Sequence, residues 1–305
     1  MLVDFADVTE QITLTPYQAI GIPIALVGAV FLALGAQFQH RGVSKVELSL
    51  GDGTRAGLSI RQLLHLAARP SWVIGTVMLG LAILLQLTSL VFAPLIVVQP
   101  LGVVALVITA IVNARVSSIR LDRHAVRAIA MCVTGVGIFV AIAAVYAVEQ
   151  PITEIQLLIV LGILATLTTG FGVAFAFARR FVGAMFYIVG AGVLFGFVAT
   201  LAKVVINRII NGNFEWLTVV AIVALLASTA LGAYFVQTAY SVGSPDLVIA
   251  GLTVIDPLVA VLIGVIVLGE AALIPLPFMI VAVVAGVIAI IGVIRLAEHH
   301  PQKHR

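Results

Sequence analysis

Hydrophobic residues in this chain come in long unbroken blocks rather than in alternation with polar ones. Apolar runs cover residues 17–38, 72–92, 95–114, 127–147, 155–178, 184–206, 216–240, 247–268 and 278–296. A helix needs roughly 20 such residues to cross the hydrocarbon core of a bilayer. The runs are longer than the strands of an outer-membrane barrel and lack their dyad pattern. The pattern therefore predicts an all-α polytopic membrane protein with nine transmembrane helices. Only Ala93-Pro94 separates the second run from the third, which predicts a tight helical hairpin there.

Composition narrows the class. Of 305 residues, 62% are hydrophobic and 10% charged. Mean hydropathy is +1.25. A soluble domain carries roughly a quarter charged residues, so this chain could not cover a water-facing surface. A soluble protein, a disordered chain and a nucleic-acid module are all excluded, and the expected surroundings are a lipid bilayer. The formal net charge of +3 reflects cations gathered in loops, not a DNA-binding face. The single cysteine, Cys132, lies in an apolar run. It excludes an intramolecular disulfide and a cysteine-rich metal site, and reads as a small packing residue.

The loops give an orientation. Residues 1–15 hold Asp4, Asp7 and Glu10 and no Lys or Arg, the reverse of a secretory leader. Basic residues then fall in alternate loops: Arg41, Lys45, Arg55, Arg61 and Arg69, then Arg115, Arg120, Arg123 and Arg127, then Arg179 and Arg180, and finally Arg295, Lys303 and Arg305. Of the 16 Lys and Arg, only Lys203 and Arg208 fall on the other side. The positive-inside rule makes the basic side cytoplasmic. This predicts an N-terminus outside and a C-terminus inside, which needs an odd number of spans, and it suits a multi-pass protein of the plasma membrane. The expected organisation is an extracytoplasmic tail (1–15), a first repeat of four spans (16–147) containing a cytoplasmic loop (41–70), an extracytoplasmic linker (148–154), a second repeat of five spans (155–296) and a cytoplasmic tail (297–305).

The two halves share features. Gln86 precedes Pro94 by eight residues, and Gln237 precedes Pro245 by eight. Each proline opens an apolar helix with a second proline inside it: Pro100 after Gln99, and Pro257 after Asp256. The loop charges make the matched helices antiparallel across the membrane. An inverted repeat (4+5) of this kind marks many secondary transporters, whose site lies near the midplane.

The stretch Phe92-Ala93-Pro94-Leu95-Ile96-Val97-Val98-Gln99-Pro100-Leu101-Gly102 resembles the third-span signature of NIPA-type magnesium transporters, within the drug/metabolite transporter superfamily. The likeness continues through Arg120, Leu121 and His124. In the second half Gln237 with Tyr240, Pro257 and Leu268-Gly269-Glu270 resemble the superfamily's EamA-type repeat, and Gly196, Lys203 and Gly35 through Gly42 fit it too. It covers about residues 20–296. The resemblance implies a nine-span carrier, with Mg²⁺ as substrate and no cofactor. The chain departs from the pattern at Ile119, where the family places an acidic residue, and this bears on magnesium specificity.

Asp256 is the leading candidate site residue. It lies about ten residues into the eighth run, where a charged side chain costs roughly 2.5–3.5 kcal/mol. Thr253 shares its helical face. Pro257 lacks an N–H and so frees the carbonyl of Thr253; Pro100 does the same for Ile96. A carboxylate beside free carbonyls and amide oxygens suits a hard cation or a proton relay, so Asp256 is also the one candidate metal ligand. Its alternative role is that of a hydrogen-bonded structural aspartate. Gln86, Gln99, Gln237 and Tyr240 would either bind a cation or polar solute or make interhelical hydrogen bonds. Lys203 and Glu270 fall near the outer ends of their spans. Either they pair as an outer gate, or Lys203 snorkels and Glu270 is solvated. Gly21, Gly28 and Gly35 share one helix face, and Gly192 with Gly196 forms another small-residue step, both suited to close packing.

Signatures of hydrolases, zinc proteases and Walker-type ATPases are missing from the sequence. The chain is thus expected to be no enzyme but a secondary transporter, with Mg²⁺ or another divalent cation as substrate. Export of an organic metabolite, drug or lipid-like solute is the alternative within that class. A non-transporting membrane scaffold is the alternative outside it.

Overall fold

The computed structural model describes residues 16–50, 70–116, 123–148, 151–178, 183–242 and 245–298. Ten helices follow one another in these segments: α1 (Pro16–Leu50), α2 (Pro70–Phe92), α3 (Leu95–Leu101), α4 (Val103–Val116), α5 (Arg123–Tyr146), α6 (Glu154–Ala178), α7 (Ala184–Ile210), α8 (Trp216–Val242), α9 (Pro245–Ile266) and α10 (Leu276–Glu298). Because α3 and α4 are two pieces of one span, nine segments among the described residues are long and apolar enough to cross a membrane. Their outer faces are lined with exposed Leu84, Val223, Leu226 and Val283. That is the reverse of a water-soluble surface and fits contact with lipid tails. The chain is a multi-pass membrane protein.

Small residues set which helices pack together. On α1, a Cβ at Gly28 would lie 3.3 Å from the Leu85 Cβ of α2, and one at Gly35 would lie 3.0 Å from the carbonyl oxygen of Gly75. On α5, a Cβ at Gly135 would strike the Ala285 carbonyl of α10 at 2.6 Å. Bare glycine backbone lets these pairs approach, which matters where lipid gives no hydrophobic drive to associate. α1 lies along α2, α5 along α10, and α7 packs against both α8 and α9. Cys132 is fully buried in the α5–α10 seam, within hydrogen-bond reach of the Ala289 carbonyl.

Two expectations change. The turn at Ala93-Pro94 is as short as the sequence implies, with the Ala93 N–H bonded to the Ser89 carbonyl. Yet α2 runs along α1 and meets α3 only slightly, so the second and third spans do not form a packed hairpin. The glycine face of α1 offers α2 the closer approach. The segment 41–70 also does not begin as a loop, because α1 continues to Leu50. No proline or second glycine interrupts Val43–Leu50, and Gly51 and Gly53 follow directly. Residues 1–15 and 51–69, Ile119 with Arg120 and Leu121, Glu149, Arg179, Arg180 and residues 299–305 lie outside the described residues, as does the side chain of Tyr240.

Candidate functional site

The third span does not run as one helix. Pro100 has no N–H to give, and the chain makes a tight turn at Gly102, whose N–H bonds to the Gln99 carbonyl at 3.1 Å. This divides the span into α3 and α4 and leaves Gln99 near the C-terminal end of a seven-residue, wholly buried helix. In the second half, Pro257 interrupts no helix: α9 runs through it. Gly192 and Gly196 of α7 accept Ile255 and Val259 of α9 at contact distances that any side chain would close. That seam fixes the rotation of α9 and with it the direction of Asp256.

Gln86 of α2, Gln99 and Gly102 of the broken span, and Thr253, Asp256 and Pro257 of α9 then line one cavity of about 390 Å³, with Gly28 and Leu32 of α1. Gln99 is 4% exposed. Its Nε2 has no hydrogen-bond partner, and neither has Oδ1 of Asp256. Leaving a buried polar atom unpaired costs of order 1–3 kcal/mol, so such atoms are rare in folded proteins. Gln99 and Asp256 both line this cavity, one carrying an unpartnered amide donor and the other an unpartnered carboxylate acceptor, which makes it the candidate place for a polar solute. The Thr253 hydroxyl is not available as a donor there, because it bonds to the Ile249 carbonyl at 2.7 Å. Pro100, Thr253 and Pro257 also line a second, apolar pocket of about 90 Å³ among α4, α5 and α10.

The glutamines matched by sequence are separated by the fold. Gln86 lines the cavity, whereas Gln237 is exposed on α8 and is not among the cavity's lining residues. No group of three or more His, Cys, Asp or Glu side chains is gathered anywhere among the described residues.

A second buried polar cluster lies at the other end of α3. Lys203 Nζ is 3.0 Å from Glu270 Oε1, and both side chains are 3% exposed. Lys203 does not snorkel and Glu270 is not solvated. The helix end explains why: Gly269 takes a positive φ of 72°, and the Glu270 N–H bonds back to the Gly264 carbonyl. This closing turn swings the carboxylate inward. There it accepts the N–H groups of Leu95 and Ile96 at 3.0 and 2.9 Å, capping α3 from the opposite half of the chain.

A third ionic group was not singled out from sequence. Arg208 is buried, with Nε donating to the Thr218 hydroxyl at 2.8 Å and Nη2 lying 3.5 Å from Glu215 and 3.9 Å from Glu154. It ties α6, α7 and the start of α8 together. The signal was present, since with Lys203 it is one of two cations on the poorly charged side.

Two relatives emerge from comparison with known proteins. The chain is 24% identical over 254 residues to an uncharacterized protein of Corynebacterium glutamicum, covering 82% of this chain and 85% of that one. It is 29% identical over 115 residues to the probable magnesium transporter NIPA4 of Arabidopsis thaliana, covering 38% of this chain and 32% of the plant protein. No protein-family model and no solved structure matches.

Proposed function

We propose that the chain is a secondary transporter of the plasma membrane, without enzymatic activity, which moves its solute through the cavity between Gln99 and Asp256. The observation that carries this reading is the pair of buried, unpartnered polar atoms on two residues that line one cavity. A scaffold has no use for a carboxylate kept unpaired beside a broken helix. The preferred solute is a divalent cation, with Mg²⁺ first. The name of the plant relative supports it, as does the single carboxylate beside glutamines, since Mg²⁺ keeps several waters and needs only one or two carboxylates. Those waters would donate to Asp256.

One observation favours a second reading, an organic metabolite. The unpaired atom of Gln99 is an amide nitrogen, which donates and cannot ligate a metal. A solute carrying both an acceptor and a donor or cationic group would satisfy both atoms.

The inverted repeat of the drug/metabolite superfamily, with the N-terminus outside, belongs to the same proposal. Its support is that α3 meets α9 and α5 meets α10. These are the helices the repeat makes equivalent, and a pseudo-two-fold axis would bring each pair together. Cysteine labelling of sealed cells tests the orientation: a probe at Glu149 should react from outside and one at Arg55 should not. Flux into liposomes containing purified protein tests the activity, first with Mg²⁺ and then with a metabolite panel. Saturable uptake that disappears in Asp256→Asn supports the reading. Flux unaltered in Asp256→Asn would remove Asp256 from the site.

A further inference from the structure

The two buried polar clusters sit at opposite ends of one short rod. α3 spans Leu95–Leu101, with every residue buried. At a rise of about 1.5 Å per residue it is roughly 10 Å long. Its first two N–H groups end on Glu270, while Gln99, near its last turn, lines the cavity and carries an unpaired amide nitrogen. Pro94 before it and Pro100 near its end have no N–H to give, and Gly102 closes a tighter turn onto the Gln99 carbonyl, so the regular hydrogen-bond ladder is interrupted on both sides. The helix is therefore joined to its neighbours by two breaks and held at its head by a carboxylate from the other half of the molecule.

We infer that Glu270 and Lys203 are positioning residues that clamp α3 and thereby hold Gln99 in the cavity and keep the cavity shut on the Glu270 side. Three features show a clamp rather than a passing ion pair. Glu270 uses both oxygens on successive amides while Oε1 also meets Lys203. Lys203 additionally reaches the Ala93 carbonyl at 3.4 Å, so it touches the turn just ahead of α3. Gly264 is shaped for the carboxylate, since a Cβ there would lie 2.7 Å from Oε2. The clamp also involves the link between halves, because the Val148 N–H bonds to the Glu270 carbonyl at 3.0 Å. Alternating access requires one face of the cavity to open while the other stays closed. Release of α3 from Glu270 would open this face and withdraw Gln99 from Asp256 in one movement.

The inference rests on the carrier reading, but its test uses no solute, so the two fail separately. The reporter is Gln86→Cys, placed in the cavity wall on α2, in a Cys132→Ala background. A membrane-impermeant thiol reagent is applied to each face in turn, in right-side-out and inside-out vesicles. Lys203→Met removes the cation, and Gly264→Ala displaces the carboxylate without changing any charge. Both should raise the labelling rate from one face only, by about tenfold or more, as the clamped population falls. Glu270→Gln should do the same, and Glu270→Asp, which keeps the charge but reaches less far, should give an intermediate rate. Unchanged rates in folded Lys203→Met and Gly264→Ala proteins would overturn the clamp. So would equal increases from both faces, which would mean that the fold has merely loosened.

Discussion

The protein buries ionisable side chains at both ends of α3, and it treats them oppositely. Around Glu270 the carboxylate is matched by an ammonium group and two backbone amides. Around Asp256 the carboxylate keeps an oxygen with no partner, and the nearby glutamine keeps an idle amide. Both arrangements lie in the low-dielectric interior, where unmet polarity is expensive. A charge that is fully met holds structure together. A charge that is left unmet has been kept for something absent from the protein alone. The contrast separates a fastening from a binding site without reference to any relative.

If this contrast is real, substitutions at the two ends should differ in kind. The largest effect on stability should come from the fastening. Lys203→Met leaves the Glu270 carboxylate without its cation. Removing one member of a buried pair costs about 3–5 kcal/mol, and here the two amide donors should hold the loss to the lower end. Thermal unfolding in detergent measures it. A Lys203→Met protein as stable as the parent would erase the distinction from one side.

Asp256→Asn should do the reverse. It removes a charge that no ion pair balances among the described residues, so stability should stay level or rise. Flux should fall by about a hundredfold, as when an interaction essential to the transported state is lost. Asp256→Glu, with its charge retained and one extra methylene, should keep part of the activity. Protons compete with a cation for the same carboxylate, so flux should slow as pH is lowered, and Asp256→Asn should lose that dependence. Gln99→Leu should lower flux less, by about three- to tenfold, because it removes a neutral hydrogen bond rather than a charge. Equal losses for Gln99→Leu and Asp256→Asn, measured in the same liposomes, would instead make the amide as essential as the carboxylate.

Much of this architecture was legible in the sequence because lipid imposes a coarse rule. Every span must be an apolar helix of nearly fixed length, so the nine runs read from hydropathy coincide with the nine spans to within a few residues. Asp256, Gln99, Gln86 and Thr253 were legible as candidates because polar groups are costly at those depths. Partnership was not legible. Which helix lies beside which depends on how small residues interlock, and α2 packed along α1 although only a two-residue turn separates it from α3. The inward turn of Glu270 follows from the positive φ of Gly269. The sequence Leu268-Gly269-Glu270 contained that turn, but the amides it would meet lie some 175 residues away. The partners of Arg208 were no more legible, since they come from the start of α6 and from the turn into α8.

The smallest expected effect tests whether the halves are equivalent in use as well as in pattern. Gln86 and Gln237 hold matching places before Pro94 and Pro245. The structure puts Gln86 in the cavity wall and leaves Gln237 exposed on α8. If the repeat records shared ancestry and no shared role, Gln237→Ala should leave both stability and flux within about twofold of the parent, as is usual for an exposed residue without buried partners. Gln86→Ala should lower flux more, since it removes part of the wall that faces Asp256. An inverted repeat permits another outcome, however. When a carrier turns from one face to the other, each half takes up the conformation of its twin. Gln237 would then enter the cavity only in the opposite state, and its removal would slow the return step while sparing solute binding. Measuring KM and maximal flux separately resolves the two cases. Maximal flux lowered in Gln237→Ala with KM unchanged would show that the cavity described here is one of two.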